Sequence, residues 1–479
     1  MTFFHGACVF LLLTFVPAGC QKKGTGGGTT PPLPPPASSE VAAWVTKGDG
    51  SALLTPSSAP LNFSNESNSF PYIDIDTAQT FQSVQGFGYT LTGGSVDLLQ
   101  GMDAGARQSL LRELFSRDST AIGVSYLRIS MGASDLSAQV FSYNDLPPGQ
   151  TDADLQQFSL RTDTVNLIPV LKQILAIQPS ITILASPWSA PPWMKTNGST
   201  IGGSLLPQYY GTYARYFVKY LQAMQAKGIP VAAVTIQNEP MHGGNNPSML
   251  MTAAEQALFI KQHLGPALAA AGLNTRIIVW DHNCDNPGYP IEVLNDPAAK
   301  AFVDGSAFHL YNGDISALST VHGAHPDRHV YFTEQYTAST GSFAGDLRWH
   351  IRNVIIGSMR NWSRNALEWN LANDAQYGPH TPGGCTTCKG ALTISGNTVL
   401  RNVAYYIIGH ASKAVLPGSL RVASTETPEL RSAAFLRPDG RKVLIVLNDG
   451  NSSRPFNIRF KGKWITSALD AGAVASFLW

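Results

Sequence analysis

The chain has 479 residues, too many for one minimal core and suited to a barrel of roughly 250 to over 400 residues with a small domain added. Lysine and arginine total 33 against 32 aspartates and glutamates, so neither a nucleic acid nor an anionic membrane surface is implied as a partner. Charged residues make up 14% and aromatics 10%, which excludes a disordered or coiled-coil chain and fits a globular enzyme.

At the N-terminus, Val9 to Val16 is an apolar run far too short to span a bilayer, and it leads into Pro17-Ala18-Gly19-Cys20. Residues 1–19 therefore read as a secretion signal. The arrangement resembles a bacterial lipoprotein signal, in which Cys20 is acylated after cleavage. It departs from that pattern in having no Lys or Arg before the apolar run and in placing Pro17 where an aliphatic or small residue is usual. Secretion with Cys20 lost or free is the alternative. Residues 20–40 are rich in Gly, Thr and Pro and cannot bury apolar surface, so they read as a tether. The expectation is an exported protein, lipid-anchored to the cell envelope or else secreted. Beyond this segment stand Cys284 and a Cys385-Thr386-Thr387-Cys388 pair in a Gly-rich loop. A zinc site would need further Cys or His ligands at metal spacing, and none follow, so a local disulfide in an oxidising compartment is favoured over metal.

Residues 41–83 break short apolar pieces with Ser, Thr, Pro and Asn, as antiparallel strands do. From residue 84 to 412 apolar runs alternate with segments of helical period. The runs are Val84 to Gly88, Ser125 to Met131, Ile181 to Trp188, Val231 to Glu239, Ile277 to Asp281, Ala307 to Tyr311, Val330 to Gln335 and Ala366 to Leu371. Strand and helix repeated eight times is the pattern of a (β/α)₈ TIM barrel of the α/β class. Apolar residues at helical spacing, such as Tyr209, Tyr213, Tyr216, Phe217, Tyr220 and Met224, are read as packing on the barrel wall. Residues 413–479 return to short strands, Ser432 to Arg437, Lys442 to Asn448, Phe456 to Lys461 and Val474 to Trp479, with turns at Asp439-Gly440 and Asp449-Gly450. Because the barrel lies between the two sets, a β-sandwich side domain built from both termini is the simplest arrangement.

Two of the barrel runs carry a glutamate at the C-terminal end, Glu239 on the fourth and Glu334 on the seventh. Catalytic groups of such barrels project from the C-terminal strand ends, so the two carboxyls face each other across the mouth. That pair suits glycoside hydrolysis, in which one carboxyl protonates the leaving oxygen while the other attacks the anomeric carbon or activates water. The third run opens into a proline-stiffened loop carrying Trp188 and Trp193, and the eighth ends at Trp369. Indole faces suit sugar rings, and Trp188 and Trp369 are read as the walls, with Trp193 as loop packing.

Val84-Gln85-Gly86-Phe87-Gly88, Leu127-Arg128-Ile129-Ser130-Met131, Ser186-Pro187-Trp188-Ser189-Ala190-Pro191, Thr235 to Pro240, His309-Leu310-Tyr311, Thr333-Glu334 and Trp369-Asn370-Leu371-Ala372 occur in the order found in glycoside hydrolase family 30. Over residues 84–412 the chain resembles the glucosylceramidase-like branch of that family, which also contains endo-β-1,6-glucanases. The resemblance implies a retaining β-glycosidase acting on β-glucosides or β-glucan, with Glu239 as acid/base and Glu334 as nucleophile. It further implies that Asn238 binds the sugar 2-hydroxyl, Tyr311 holds the nucleophile, Trp188 and Trp369 line the subsite of the attacked sugar, and Arg128 and His309 support the nucleophile. No metal or organic cofactor is required. The charge of Glu334 is expected to keep Glu239 protonated. In the glucosylceramidases a first-strand Asp grips the outer hydroxyls of glucose, and Gly93 stands where that Asp would be, which is expected to open the subsite to a longer chain. The alternative from another class is a catalytically silent carbohydrate-binding surface lipoprotein.

Overall fold

The structure is a computed structural model that describes residues 39–479. The predicted signal, the tether up to residue 38 and Cys20 lie outside the described residues. The eight expected runs form eight strands, Gly86–Leu91, Tyr126–Ser130, Thr182–Ser186, Ala233–Thr235, Arg276–Cys284, Val303–Gly313, His329–Glu334 and Asn365–Asn370. They lie in one sheet in sequence order, with the eighth strand beside the first. All the ladders are parallel. The seam between the seventh and eighth strands is bridged by Arg364 N to Val330 O at 3.0 Å and Trp369 N to Gln335 O at 2.8 Å. Asn365 Oδ1 adds a bond from Phe332 N at 2.9 Å.

Side chains alternate across a strand, and this period of two builds the barrel interior in layers. Tyr126, Leu184, Ala233, Ile278, Ala307, Tyr331 and Leu367 form a fully buried apolar plug, one residue from each of the second to eighth strands. The first strand offers Gly88 at this level, where a Cβ would come 1.8 Å from Tyr126 O. Two residues further along the strands, the inward positions are Arg128, Ser186, Thr235, His309, Thr333 and Trp369. The interior therefore changes from apolar to polar in a single layer. On the outside, Tyr210–Ala226 buries Tyr213, Tyr216, Tyr220 and Met224 completely, as the helical spacing predicted.

Two strand ends depart from simple alternation. The fourth strand stops at Thr235, not at Glu239 as the apolar run suggested. Beyond it the backbone bonds sideways to both neighbours, Asn238 N to Pro187 O at 2.8 Å and Glu239 N to Asp281 O at 3.0 Å. Glu239 adopts a left-handed φ of 47°. The fifth strand runs on to Cys284 through a bulge at Trp280 and Asp281, whose φ values are 72° and 62°. That bulge replaces the inward Trp280 by Asp281.

Strands from both ends of the described chain share a nine-stranded sheet, so the expected joint β-domain is present. Ala42–Thr46 pairs with Val474–Leu478, and Tyr72–Ser83 lies between Leu420–Ser424 and Arg454–Phe460. Its core of Ile73, Ile75, Val422, Leu444, Val446, Phe456, Ile458 and Phe477 is distinct from that of the barrel. Strands Leu420–Ser424 and Lys463–Leu469 were not foreseen. Cys385 and Cys388 are joined in a disulfide, and Cys284 is free and buried. Among the described residues no helix is long and apolar enough to cross a membrane.

Candidate active site

The polar layer above the plug is knitted by Asp281, which the sequence reading did not single out. Its Oδ2 accepts from Arg128 Nη2 at 2.8 Å, Ser186 Oγ at 3.0 Å and Thr235 Oγ1 at 2.8 Å. Its Oδ1 accepts from Thr333 Oγ1 at 2.7 Å and meets His309 Nε2 at 3.1 Å. Burial alone would raise the Asp281 carboxyl, but the Arg128 charge and these donors hold it far below the usual carboxylate range. Signals for such a residue were faint, because Asp281 ends an apolar run and owes its direction to the bulge.

Arg128, fully buried, spreads its guanidinium over four acceptors, with Nε donating to Ser186 Oγ at 3.1 Å. Besides Asp281 it donates to Asn238 Oδ1 at 2.7 Å and through Nη1 to Glu334 Oε2. Tyr311 OH donates to the other Glu334 oxygen at 3.0 Å. Since Arg128 occupies the Asn238 carbonyl, the amide presents its NH₂ to a ligand. Glu239 meets His309 Nδ1 at 3.2 Å and accepts from Asn245 Nδ2 at 3.2 Å. His309 thus bridges Asp281 and Glu239, with Glu334 3.6 Å from the same Nδ1. It supports the Glu239 side as much as the Glu334 side assigned to it by resemblance.

Glu239, His309 and Glu334 each bring one donor atom within 4.8 Å of the others. Among the described residues these three are the ones that could hold a metal ion, although His309 spends both ring nitrogens on carboxylates. Burial lowers the His309 affinity for protons, yet the charge of Glu334 and the bonds to Asp281 and Glu239 outweigh it and raise its pKa to about 9. The ring is therefore a cation at neutral pH and donates through both nitrogens. Burial raises Glu334, with the charges of His309 and Arg128 opposing and those of Glu239 and Asp281 adding, and the net direction is up. Burial also acts upward on Glu239, but the hydrogen bond and charge of His309 prevail and bring it down. This reverses the expectation that Glu334 would keep Glu239 protonated, because His309 sits directly on Glu239. Two cations, Arg128 and His309, balance two of the carboxylates Asp281, Glu239 and Glu334. The cluster is neutral only when one proton is shared between the glutamates.

A cavity of about 270 Å³ opens above the pair. Trp188 and Trp369 stack at 5.4 Å to form one wall, with the Arg128 guanidinium 4.7 Å from the Trp188 ring. Leu136 and Cys388 pack against them, and the Cys385–Cys388 disulfide itself lines the cavity. Trp193 stays out of the cavity, its Nε1 bonded to Asn144 O at 3.0 Å. Gly93 is also elsewhere: it lines a separate cavity, and its Cβ would lie 2.7 Å from Ser137 Oγ. A carboxylate is nonetheless present at the catalytic cavity. Asp135, from the loop after the second strand, supplies one at the cavity wall. It is 5% exposed and accepts from Cys385 N at 3.3 Å. Burial, helped by the charge of Glu334, pushes its pKa up to about 7. An isolated aspartate in a loop carries no signal of this in sequence.

A family model described as the glycosyl hydrolase family 30 TIM-barrel domain matches residues 84–415, and one for the family's β-sandwich domain matches 418–477. The chain is 33% identical to an endo-1,6-β-D-glucanase of Aspergillus fumigatus over 90% of this chain and 93% of the relative. It is 30% identical to lysosomal acid glucosylceramidase of Mus musculus, over 85% and 83%. A solved endo-β1,6-glucanase superposes with a TM-score of 0.86 at 35% identity, covering 92% of this chain and 99% of that one.

Proposed function

The chain belongs to glycoside hydrolase family 30 and is a glycosidase, and from that premise we propose that it is a retaining enzyme that cuts β-1,6-glucan internally. The carrying observation is the pair of glutamates with oxygens within 4.8 Å of each other at the barrel mouth. A spacing near 5 Å leaves no room for a water between carboxylate and sugar, which favours direct attack over the inverting route at roughly 6.5–9.5 Å.

In this reading Glu334 is the nucleophile. Arg128 and Tyr311 donate to its two oxygens and hold it as the anion that attacks the anomeric carbon. The proton shared by the pair, favoured on Glu334 in the resting site, must pass to Glu239 before Glu334 can attack, and Glu239 then delivers it to the departing glycosidic oxygen. Formation of the ester removes the Glu334 charge, and with the His309 cation still beside it Glu239 remains as carboxylate, ready to take a proton from the incoming water. Water attacks the anomeric carbon, the ester bond breaks, and Glu334 returns as the anion. Asn238 offers its NH₂ to the 2-hydroxyl, Trp188 and Trp369 receive the ring face, and Asp135 accepts hydroxyls at the far wall.

Substrate and mode of action rest on two supports. The relatives named as endo-1,6-β-D-glucanases reach 33–34% identity. Tyr311 lines both the catalytic cavity and a polar groove of about 740 Å³ that reaches Glu426 and Arg431 of the β-domain, room for a chain longer than one sugar. Chromatography of early products from linear β-1,6-glucan tests this: oligosaccharides first means internal cleavage, and glucose alone overturns it. A fluorescent glucosylceramide run in parallel separates the two substrates.

We also propose that the protein is exported and anchored through acylated Cys20. The disulfide suits an oxidising compartment. Incorporation of labelled palmitate by the full chain but not by Cys20→Ser is the expected result, and equal labelling overturns it.

A further inference from the structure

His282 follows Asp281 on the bulged fifth strand and lines the catalytic cavity beside Glu239 while remaining only 7% exposed. Its ring lies against Trp280, with centroids 4.9 Å apart, and edge-on to His309 at 6.3 Å. Nδ1 is sealed off and has no hydrogen-bond partner among the described residues, whereas Nε2 is also unbonded but not sealed, which leaves it as the nitrogen open to the cavity. The titratable groups that face it are Glu239, His309, Asp285 and His242. Burial pushes its pKa down to about 4, so at working pH the ring is neutral, with one N–H to give and one lone pair to receive.

A ring nitrogen that opens to the cavity without a protein partner is available to a ligand, and the mechanism above makes no use of this one. The position relative to Glu239 says what it faces. The sugar that becomes esterified lies over Glu334, against the tryptophan wall, whereas the leaving group departs on the side of the acid that protonates it. Around Glu239 the cavity wall is made by Asn245, His242 and His282. These are polar groups, and none of them bonds to Glu334. An aliphatic leaving group would leave the imidazole unsatisfied, while a sugar hydroxyl both donates and accepts.

Resting on the retaining-glycosidase reading, we propose that His282 is a specificity-determining residue that binds a hydroxyl of the departing sugar, within a leaving-group subsite shared with His242 and Asn245. This subsite selects a carbohydrate over a lipid-like leaving group. The test compares kcat/KM for a β-1,6-linked glucose trisaccharide with kcat/KM for octyl β-glucoside, in the wild type, His282→Leu and His282→Asn. The two substrates present the same glucose to Glu334 and differ in what leaves. The trisaccharide-to-octyl ratio is expected to fall about 10-fold in His282→Leu, the loss of one buried hydrogen bond, and to recover in part in His282→Asn. A structural role acting through Glu239 would slow both substrates equally, and an unchanged ratio overturns the proposal. Should the leucine variant not fold, His282→Ala is read in the same way. Failure of the wild type to cut the trisaccharide would overturn the β-1,6 reading instead, and the ratio is then taken with whichever glucose disaccharide it cleaves.

Discussion

Replacing Tyr311 by Phe removes one oxygen and leaves the ring, which packs beside Tyr336 at 5.2 Å and His309 at 6.1 Å. What is lost is the 3.0 Å hydrogen bond from its hydroxyl to Glu334 Oε1. A bond of this kind to a charged acceptor contributes about 1.5–3 kcal/mol. Arg128 still holds the other oxygen, and the nearest remaining donor on this side is His309 Nδ1 at 3.6 Å. The hydroxyl favours the ionised form, so its loss raises the pKa of the nucleophile, by about 1–2 units at 1.36 kcal/mol each. Activity requires Glu334 ionised, and the acid limb of kcat/KM against pH therefore moves upward by that amount. The assay is a fluorogenic β-glucoside across pH 3–9. A limb that stays in place, with activity reduced evenly at all pH values, would refute Tyr311 as a partner of the nucleophile.

Asp135→Asn should lower kcat/KM about 10- to 100-fold, the range for a charged hydrogen bond to a hydroxyl, with most of the loss in KM if the contact holds equally in ground and transition states; an unaffected KM and kcat would remove Asp135 from the sugar site. His309 has its pKa raised to about 9 in the folded protein, above the ordinary value near 6.5. Its stabilisation is fully present below pH ~6.5 and is lost as pH rises through ~9, so denaturation midpoints should decline over that window. The decline should be shallower in Asp281→Asn, which takes away an anion facing the ring, and an identical slope would count against the bridge. Cys388→Ser frees the short loop that lines the cavity beside Trp188 and Trp369 and should cost about 2 kcal/mol of stability by loop entropy, with weaker sugar binding; calorimetry and KM together check it.

The barrel could be read from the sequence because its strands are buried on both faces and leave continuous apolar runs, and because Glu239 and Glu334 interrupt those runs at their ends. Every residue named there for the site except Gly93 lies at the cavity or in the polar layer beneath it. The features that escaped have a common cause. Asp281 enters the cluster through two consecutive left-handed residues, and periodicity cannot foresee a bulge that exchanges one side chain for the next. Asp135 comes from a loop and meets the cavity only because Cys385 N and Thr381 N bond to it. The direction of the Glu239 shift was missed for a related reason. Charge on a neighbouring carboxylate was visible in sequence, but the placement of the His309 ring on Glu239 itself depends on a third group, Asp281.

Trapping the covalent intermediate tests the central claim most directly. A 2-deoxy-2-fluoro-β-glucosyl fluoride carries a leaving group good enough to form the ester, while the fluorine slows its hydrolysis. Peptide mass spectrometry of the inactivated protein should find one fluoroglucosyl group on Glu334, absent from Glu334→Gln and still formed in Glu239→Ala, from which azide should release a β-glycosyl azide. A label on Glu239 or elsewhere, or full activity in Glu334→Gln, would contradict the account.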